Sequence, residues 1–444
     1  MTHSSPVTTV ASPETPATDK RKFEYDSIAV LISGAVTAVL GLVFWAVTAR
    51  MYPVDVVGRA SAVINSAVVL STLSTLSLGS MYERFLPLAG SRAGALVARG
   101  YLLVALLATI LATALLMFGP RENLFSSGWA TLSYVGLVVT LALFALEDQT
   151  TNGLRVARWS AAKNIVHAIA KLALVASLAF TAHELAVVGA WGGSAAIAAL
   201  VLGVAIRRKL RTRGESAAQP ALPPARELWS YFGHSYGLMT LGSLAPLAVP
   251  LVVISLLGAE ENAYFAITWA LVSALFVLFY MLMGPFVSEA SAFPTQIQSL
   301  TRRFIALLSG LAVLGAIFLA LVAPVALGSV GDHYRTEGTT LLRLSAIIIP
   351  ISALVVLHNA LARVYQRMGS AVVAQVLNTI VVIAGSIVLT PHVGIAGVGW
   401  SYLAAEILSA AIVSVPLVGM LRRAARTPTQ IESNESTVDH QPGA

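Results

Sequence analysis

From Ser27 to Ala49 the chain runs 23 residues without a charge, and comparable apolar runs recur as far as residue 420. At about 1.5 Å of rise per residue, such a run crosses a hydrocarbon layer about 30 Å thick. No water reaches that layer, so the backbone N–H and C=O groups must be paired within the segment, as a helix pairs them. Twelve spans fit the pattern, near 27–49, 58–82, 95–118, 128–147, 160–181, 184–206, 227–257, 260–287, 303–328, 339–365, 369–390 and 395–420. Composition agrees. Hydrophobic residues are 57% and charged residues 11%, where a soluble domain carries about a quarter charged residues. The mean hydropathy is +0.80. The expected class is an all-α polytopic membrane protein. The absence of Cys excludes disulfides, thiolate metal sites and a Cys nucleophile.

The longest polar stretch between the tails is Arg207 to Arg226, with six basic residues against one acid and with Pro220, Pro223 and Pro224 within it. It cannot bury enough apolar surface to order itself, and its prolines stiffen it as a spacer. The domains then read as a disordered tail at 1–26, a lobe of six spans at 27–206, the linker at 207–226, a second lobe at 227–420 and a tail at 421–444. The first span is too long for a typical signal sequence and is read as an uncleaved helix. With the N-terminus placed in the cytoplasm, the inner segments hold 22 Lys and Arg and the outer ones 5. That bias puts both termini and the linker inside. It also accounts for a pI near 9.7 without nucleic acid as a partner.

The two lobes echo each other. Thr181, His183 and Trp191 recur as Thr390, His392 and Trp400 at a constant offset of 209. Asn152 and Leu154 match Asn359 and Leu361, Arg155 and Val156 match Arg363 and Val364, and Pro120 matches Pro324. Six spans per lobe is an even number, so the halves are expected to be a parallel repeat about an axis along the membrane normal. A central cavity would lie between the lobes.

The opening GLVFWAVTARMYPVDVVGRASAVINSAVVLSTLSTLSLGSMYERFLP contains Ala49, Arg50, Gly58 and the run Arg84, Phe85, Leu86, Pro87. It resembles polysaccharide flippases of the multidrug/oligosaccharidyl-lipid/polysaccharide exporter superfamily. Arg155, Arg158, Trp159, Lys163, Asn164, Lys171 and Leu172 are similar to the fourth-to-fifth helix region of bacterial lipopolysaccharide and capsule members. The resemblance implies inner-to-outer-leaflet transfer of an isoprenoid-pyrophosphate-linked oligosaccharide by alternating access. It implies a bacterial plasma membrane, with a glycan polymerase or glycosyltransferases as partners beside the membrane lipids.

Two ionisable residues lie deep in spans, where a charge costs roughly 2.5–3.5 kcal/mol on insertion scales. Lys171 is about 16 Å along span five from the inner side, counted at the helical rise. Glu406 reaches a similar depth from the outer side in span twelve, and Asn378 in span eleven reads as the repeat counterpart of Lys171. Lys171 fits three roles: contact with a pyrophosphate or acidic sugar, pairing with Glu406 or a backbone carbonyl, or snorkelling to the surface. Glu406 with Asn378 fits either a proton or sodium coupling site or a structural carboxylate. Arg50 and Arg84 read as interface residues or phosphate contacts. His234 and Tyr236 open span seven as inner-mouth residues or a plain polar helix end. Pro246 and Pro250 interrupt that span as a gate or a structural kink. Glu147 and Asp148 are expected to pair with Arg155 and Arg158, and Trp45, Trp191 and Trp400 to anchor at the interface.

No phosphate-binding GxxxxGK[ST] loop and no HExxH helix is present. No enzyme and no cofactor is expected beyond coupling ions. The leading alternatives to a flippase are a cation-coupled multidrug exporter and a non-transporting scaffold for glycan synthesis. Because the chain lacks Cys, single cysteines report sidedness directly. Ser216→Cys in the linker is expected to react with an impermeant maleimide only from the cytoplasmic side, and Ser127→Cys only from outside.

Overall fold

The structure is a computed structural model and describes residues 16–75, 78–215 and 242–426. Among the described residues every regular element is helical. The first half contains α1 (Pro16–Met51), α2 (Val54–Ser74), α3 (Leu78–Phe85), α4 (Ala93–Phe118), α5 (Arg121–Leu124), α6 (Gly128–Gly153), α7 (Arg158–Ser177) and α8 (Glu184–Glu215). The second contains α9 (Gly242–Leu257), α10 (Ala259–Ala292), α11 (Ile297–Ile317), α12 (Ala323–Val330), α13 (Asp332–Val364), α14 (Gly369–Val393) and α15 (Ala396–Arg426). A π-helical turn, Phe318–Val322, joins α11 and α12 into one span. Ten stretches among the described residues are long and apolar enough to cross a membrane. Helix α7, interrupted by Lys163 and Lys171, and α9, whose described part is shorter, occupy the two remaining expected spans.

Three boundaries move outward. Helix α1 starts at Pro16 within the expected tail, α8 continues to Glu215 through the start of the expected linker, and α15 reaches Arg426. Lys, Arg and Glu are good helix formers, and each residue added to an existing helix contributes another hydrogen bond. The linker from Ser216, together with His234 and Tyr236, lies outside the described residues. Helix α9 runs unbroken through Pro246 and Pro250, so the described part of span seven is not interrupted there.

The helices sort their side chains for lipid. On α4 the buried stripe is Ala93, Val97, Gly100, Val104, Ala108 and Ala112, while Leu102 and Met117 are more than 70% exposed. Small residues let helices approach closely, and large apolar ones face the hydrocarbon. Helix α11 repeats the pattern, with Leu308, Ala312 and Gly315 buried and Leu307 and Leu314 exposed.

The repeat is a property of the backbone. The packed pairs α2–α4, α2–α6, α4–α6, α6–α8 and α7–α8 recur as α10–α11, α10–α13, α11–α13, α13–α15 and α14–α15. Helix α6 ends with Arg155 in the left-handed region and α13 with Gln366, at φ 57° and 53°. The closing bonds match one for one: Leu154, Arg155 and Val156 donate to Thr150, Asn152 and Thr151, as Tyr365, Gln366 and Arg367 donate to Leu361, Arg363 and Ala362. The true offset here is therefore 211, and at the next turn, where Ala182 and Gly394 both have positive φ, it is 212. The identity-based offset of 209 is about one helical turn out. Trp191 answers Leu403 rather than Trp400. Pro120 follows the end of α4, whereas Pro324 lies inside the α11–α12 span.

The counterpart helices α2 and α10 meet each other across the lobes at their N-terminal turns. Asn262, fully buried, donates to the Gly58 carbonyl at 2.8 Å and the Ser61 hydroxyl at 3.1 Å. A Cβ on Gly58 would stand 1.6 Å from the Ala259 carbonyl oxygen. At the same end, which carries few arginines, Arg50 donates to the Ser329 carbonyl and Asn123 to that of Ile254 at 3.3 Å. One hydrophobic cluster runs continuously there from Phe44, Val57 and Ile64 into Phe265, Leu327 and Leu341. The lobes are closed together at the arginine-poor end. Gly58→Ala is expected to part α2 from α10 at this end. A Ser61→Cys reporter, buried in the parent, should then react with an impermeant maleimide at least ~10-fold faster.

Candidate functional site

Helix α7 carries Lys163, His167 and Lys171 at spacings of four residues, so all three share one face, and all three are buried. The αL turn at Arg155 folds α7 back along α6, and this decides what each residue meets. Lys163 Nζ lies 2.8 Å from Asp148 Oδ1 and 3.7 Å from Glu147 Oε2. It also donates to the Phe144 carbonyl and sits 3.5 Å from the centre of the Phe144 ring. Asn164 donates to the other Asp148 oxygen at 3.1 Å. One turn on, His167 Nδ1 and the Ser194 hydroxyl of α8 are 3.0 Å apart.

A further turn along, Lys171 is 5% exposed, and its ammonium lies 3.4 Å from the centre of the Trp191 ring and 5.3 Å from that of Phe44. Phe44, Trp45 and Trp191 contact one another edge-on or tilted. Among the described residues no carboxylate pairs with Lys171, and neither Glu406 nor a backbone carbonyl takes that place. Ring faces attract a cation through their quadrupole, yet they supply none of the oxygen acceptors an ammonium ordinarily holds. The result is a buried cation with capacity left for an anionic ligand.

In the second lobe, Asn378 donates to Glu406 Oε1 and to the Ser409 hydroxyl, each at 3.3 Å. The other carboxylate oxygen, Oε2, is buried with no hydrogen bond of ordinary geometry, and the Ser352 hydroxyl of α13 lies beside the carboxylate. With the backbone register in hand, Asn378 answers His167 and Glu406 answers Ser194. The two pairs are therefore the same construction in the two lobes, a residue of the penultimate helix bonded to one of the last. Lys171 answers the buried Val382 rather than Asn378, so its charge belongs to one lobe alone. Glu147 and Asp148 answer His358 and Asn359, and His358 is likewise buried and bonded to Ser370 at 2.9 Å.

This is the fold of the MATE transporters and of the MurJ flippase. An inward-facing multidrug resistance MATE family transporter of the MOP superfamily superposes with a TM-score of 0.65 at 12% identity, covering 91% of this chain and 99% of that one. Lipid II flippase MurJ in an inward closed conformation gives 0.62 at 12%, covering 94% of each. A MATE transporter from Vibrio cholerae gives 0.59 at 16%, covering 92% and 98%. No protein-family model matches the chain, and no curated protein matches it. At these identities the likeness is one of fold.

Several expected pairings change. Glu147 and Asp148 engage Lys163, not Arg155 and Arg158, because the reversal at Arg155 leaves that residue exposed on the turn. Trp45 and Trp191 pack inside the bundle around Phe44 rather than at the interface, while Trp400 is half exposed. Arg50 bridges the lobes. The side chain of Arg84 lies outside the described residues. The sequence counts Lys163 among the inner-side charges at the start of span five and gives no role to His167 or Ser194. The four-residue spacing of Lys163, His167 and Lys171 was the available signal. Lys163→Met is expected to cost about 3 kcal/mol by leaving the buried Glu147 and the half-buried Asp148 without their cation. Adding Glu147→Gln and Asp148→Asn should recover most of that loss, read as thermal unfolding in detergent.

Proposed function

We propose that the protein is a flippase that carries an isoprenoid-pyrophosphate-linked oligosaccharide from the inner to the outer leaflet of a bacterial plasma membrane by alternating access. The observation that carries this reading is Lys171, a buried cation cushioned by Trp191 and Phe44 and paired with no carboxylate among the described residues. A pyrophosphate or acidic sugar supplies the oxygen acceptors that this site lacks. The shared fold with a transporter and a lipid flippase supports a moving two-lobed mechanism. Closure of the arginine-poor end by Asn262, Gly58 and Arg50 supports an inward-facing state. Rocking the lobes would have to break those contacts and form others at the arginine-rich end. A glycan polymerase or glycosyltransferases would act before or after transfer.

One observation favours a second reading. Glu406 is a buried carboxylate that meets only neutral polar groups, Asn378 and the Ser352 hydroxyl, and this suits uptake of a proton or sodium ion. The site can drive a flippase, or it can drive a cation-coupled drug exporter. Depleting the protein from cells is expected to trap a complete lipid-linked repeat unit on the inner leaflet, detected by mass spectrometry as a pool shielded from external probes. Lys171→Ala, at parental expression, should lower transfer at least ~10-fold, with Lys171→Arg retaining part of it. An unchanged lipid-linked pool, together with dye efflux that stops when the ion gradient collapses, would favour the drug exporter.

A further inference from the structure

A groove of about 800 Å³ lies between α4, α6 and α8, on the flank of the first lobe. It exists because its walls are built from small residues. Gly94 and Ala98 stand on α4, and Ala199 and Gly203 on α8. A Cβ at Gly94 would meet nothing within 4 Å. The rim is lipid-facing, with Leu200 71% and Val204 52% exposed. The groove is thus an apolar slot open sideways to hydrocarbon.

Its mouth is of another character. Arg207 and Arg211 stand one helical turn apart on α8, both exposed, at the arginine-rich end. Neither forms an ion pair among the described residues. The N-terminal end of α4 faces the same mouth through Gly94 and through Ser91 of the 3-10 turn Gly90–Arg92 that leads into it, whose Gly90 carbonyl accepts the Ala93 N–H. That end of a helix carries the positive pole of its dipole. Two guanidinium groups and a helix N-terminus together favour an anion, and arginine presents paired donors suited to phosphate.

Slot and mouth are in register. From Arg207 up to Ala196 the groove follows α8 for 11 residues, about 16 Å at the helical rise. One leaflet of the hydrocarbon core is about 15 Å deep. The carboxylate in the wall, Glu147, is turned toward Lys163 and only 3% exposed. It packs beside Gly203 of α8, where a Cβ would come within 3.2 Å of it. Gly203 lies one turn from Arg207 and two from Arg211, so the carboxylate stands about 6–12 Å along the axis from the phosphate level.

We propose that this groove binds an anionic phospholipid of the arginine-rich leaflet, with the phosphate held by Arg207 and Arg211 and one acyl chain laid between α4, α6 and α8. Basic pockets between membrane helices on the cytoplasmic side are a general mode of anionic headgroup capture. The bound chain fills space that the small residues leave open, and so ties α4 to α8. The site is separate from Lys171 and does not depend on what the protein transports.

The test uses the full chain purified in a neutral detergent, with phosphatidylglycerol and phosphatidylcholine as probes in native mass spectrometry and thermal unfolding. Phosphatidylglycerol is expected to be retained at least ~5-fold over phosphatidylcholine and to raise the Tm by several degrees more. The pair R207Q/R211Q should bring both lipids to the same level, while R207K/R211K keeps part of the preference. Gly94→Leu, with both arginines intact, should abolish retention by filling the slot, since a side chain there meets open space. Equal retention of the two lipids by the parent, or an unchanged preference in R207Q/R211Q, would overturn the proposal. So would displacement of phosphatidylglycerol by a polyisoprenyl phosphate at ~100-fold lower concentration, which would make the groove a seat for a lipid carrier.

Discussion

A peptide group left unpaired in hydrocarbon costs several kcal/mol, and from that constraint the rest of this molecule follows. Every described segment long enough to cross the layer is a helix. Once the backbone is satisfied, lipid exerts no hydrophobic pressure to bring helices together, so contact depends on shape. Hence the small-residue stripe on α4, its repetition on α11, and the Gly58 contact that lets α2 lie against the backbone of α10. The same low-polarity surroundings make each buried polar group expensive unless it is partnered.

Against that background the polar residues of α7 form an ordered series. Lys163 is neutralised by two carboxylates, His167 is bonded to a serine, and Lys171 has only aromatic faces. The second lobe keeps the middle member as Asn378 with Glu406 and drops the flanking cations. The two lobes therefore differ in character, with a cation in one, a helical turn from the His167–Ser194 pair, and a carboxylate in the other, within the equivalent pair.

How much of this was legible in the chain depends on which physical signal each feature leaves. Apolar runs place twelve spans because hydrophobicity is local and cumulative. The repeat was visible in principle, but matching Trp191 to Trp400 and Arg155 to Arg363 set the register about a turn out. The landmarks that set it are left-handed turns at Arg155, Gln366, Ala182 and Gly394, and only the last is a glycine. Three of the four therefore carry no residue-type mark. Pairing went astray for the same reason. Arg155 and Arg158 are nearer to Asp148 in sequence than Lys163 is, but the turn points α7 back so that Lys163 arrives beside it.

The amino-acid sequence by itself determined the fold class, the places of the apolar spans and the presence of charge at depth, because burial in lipid penalises charge and unpaired backbone residue by residue. Tertiary structure alone decided which helices are counterparts, that Lys171 faces Trp191 rather than Glu406, and that Gly58 and Asn262 close one end. These are contacts between residues up to two hundred positions apart. They are selected by how helices of given width cross and reverse, a geometry that no local run of residues contains.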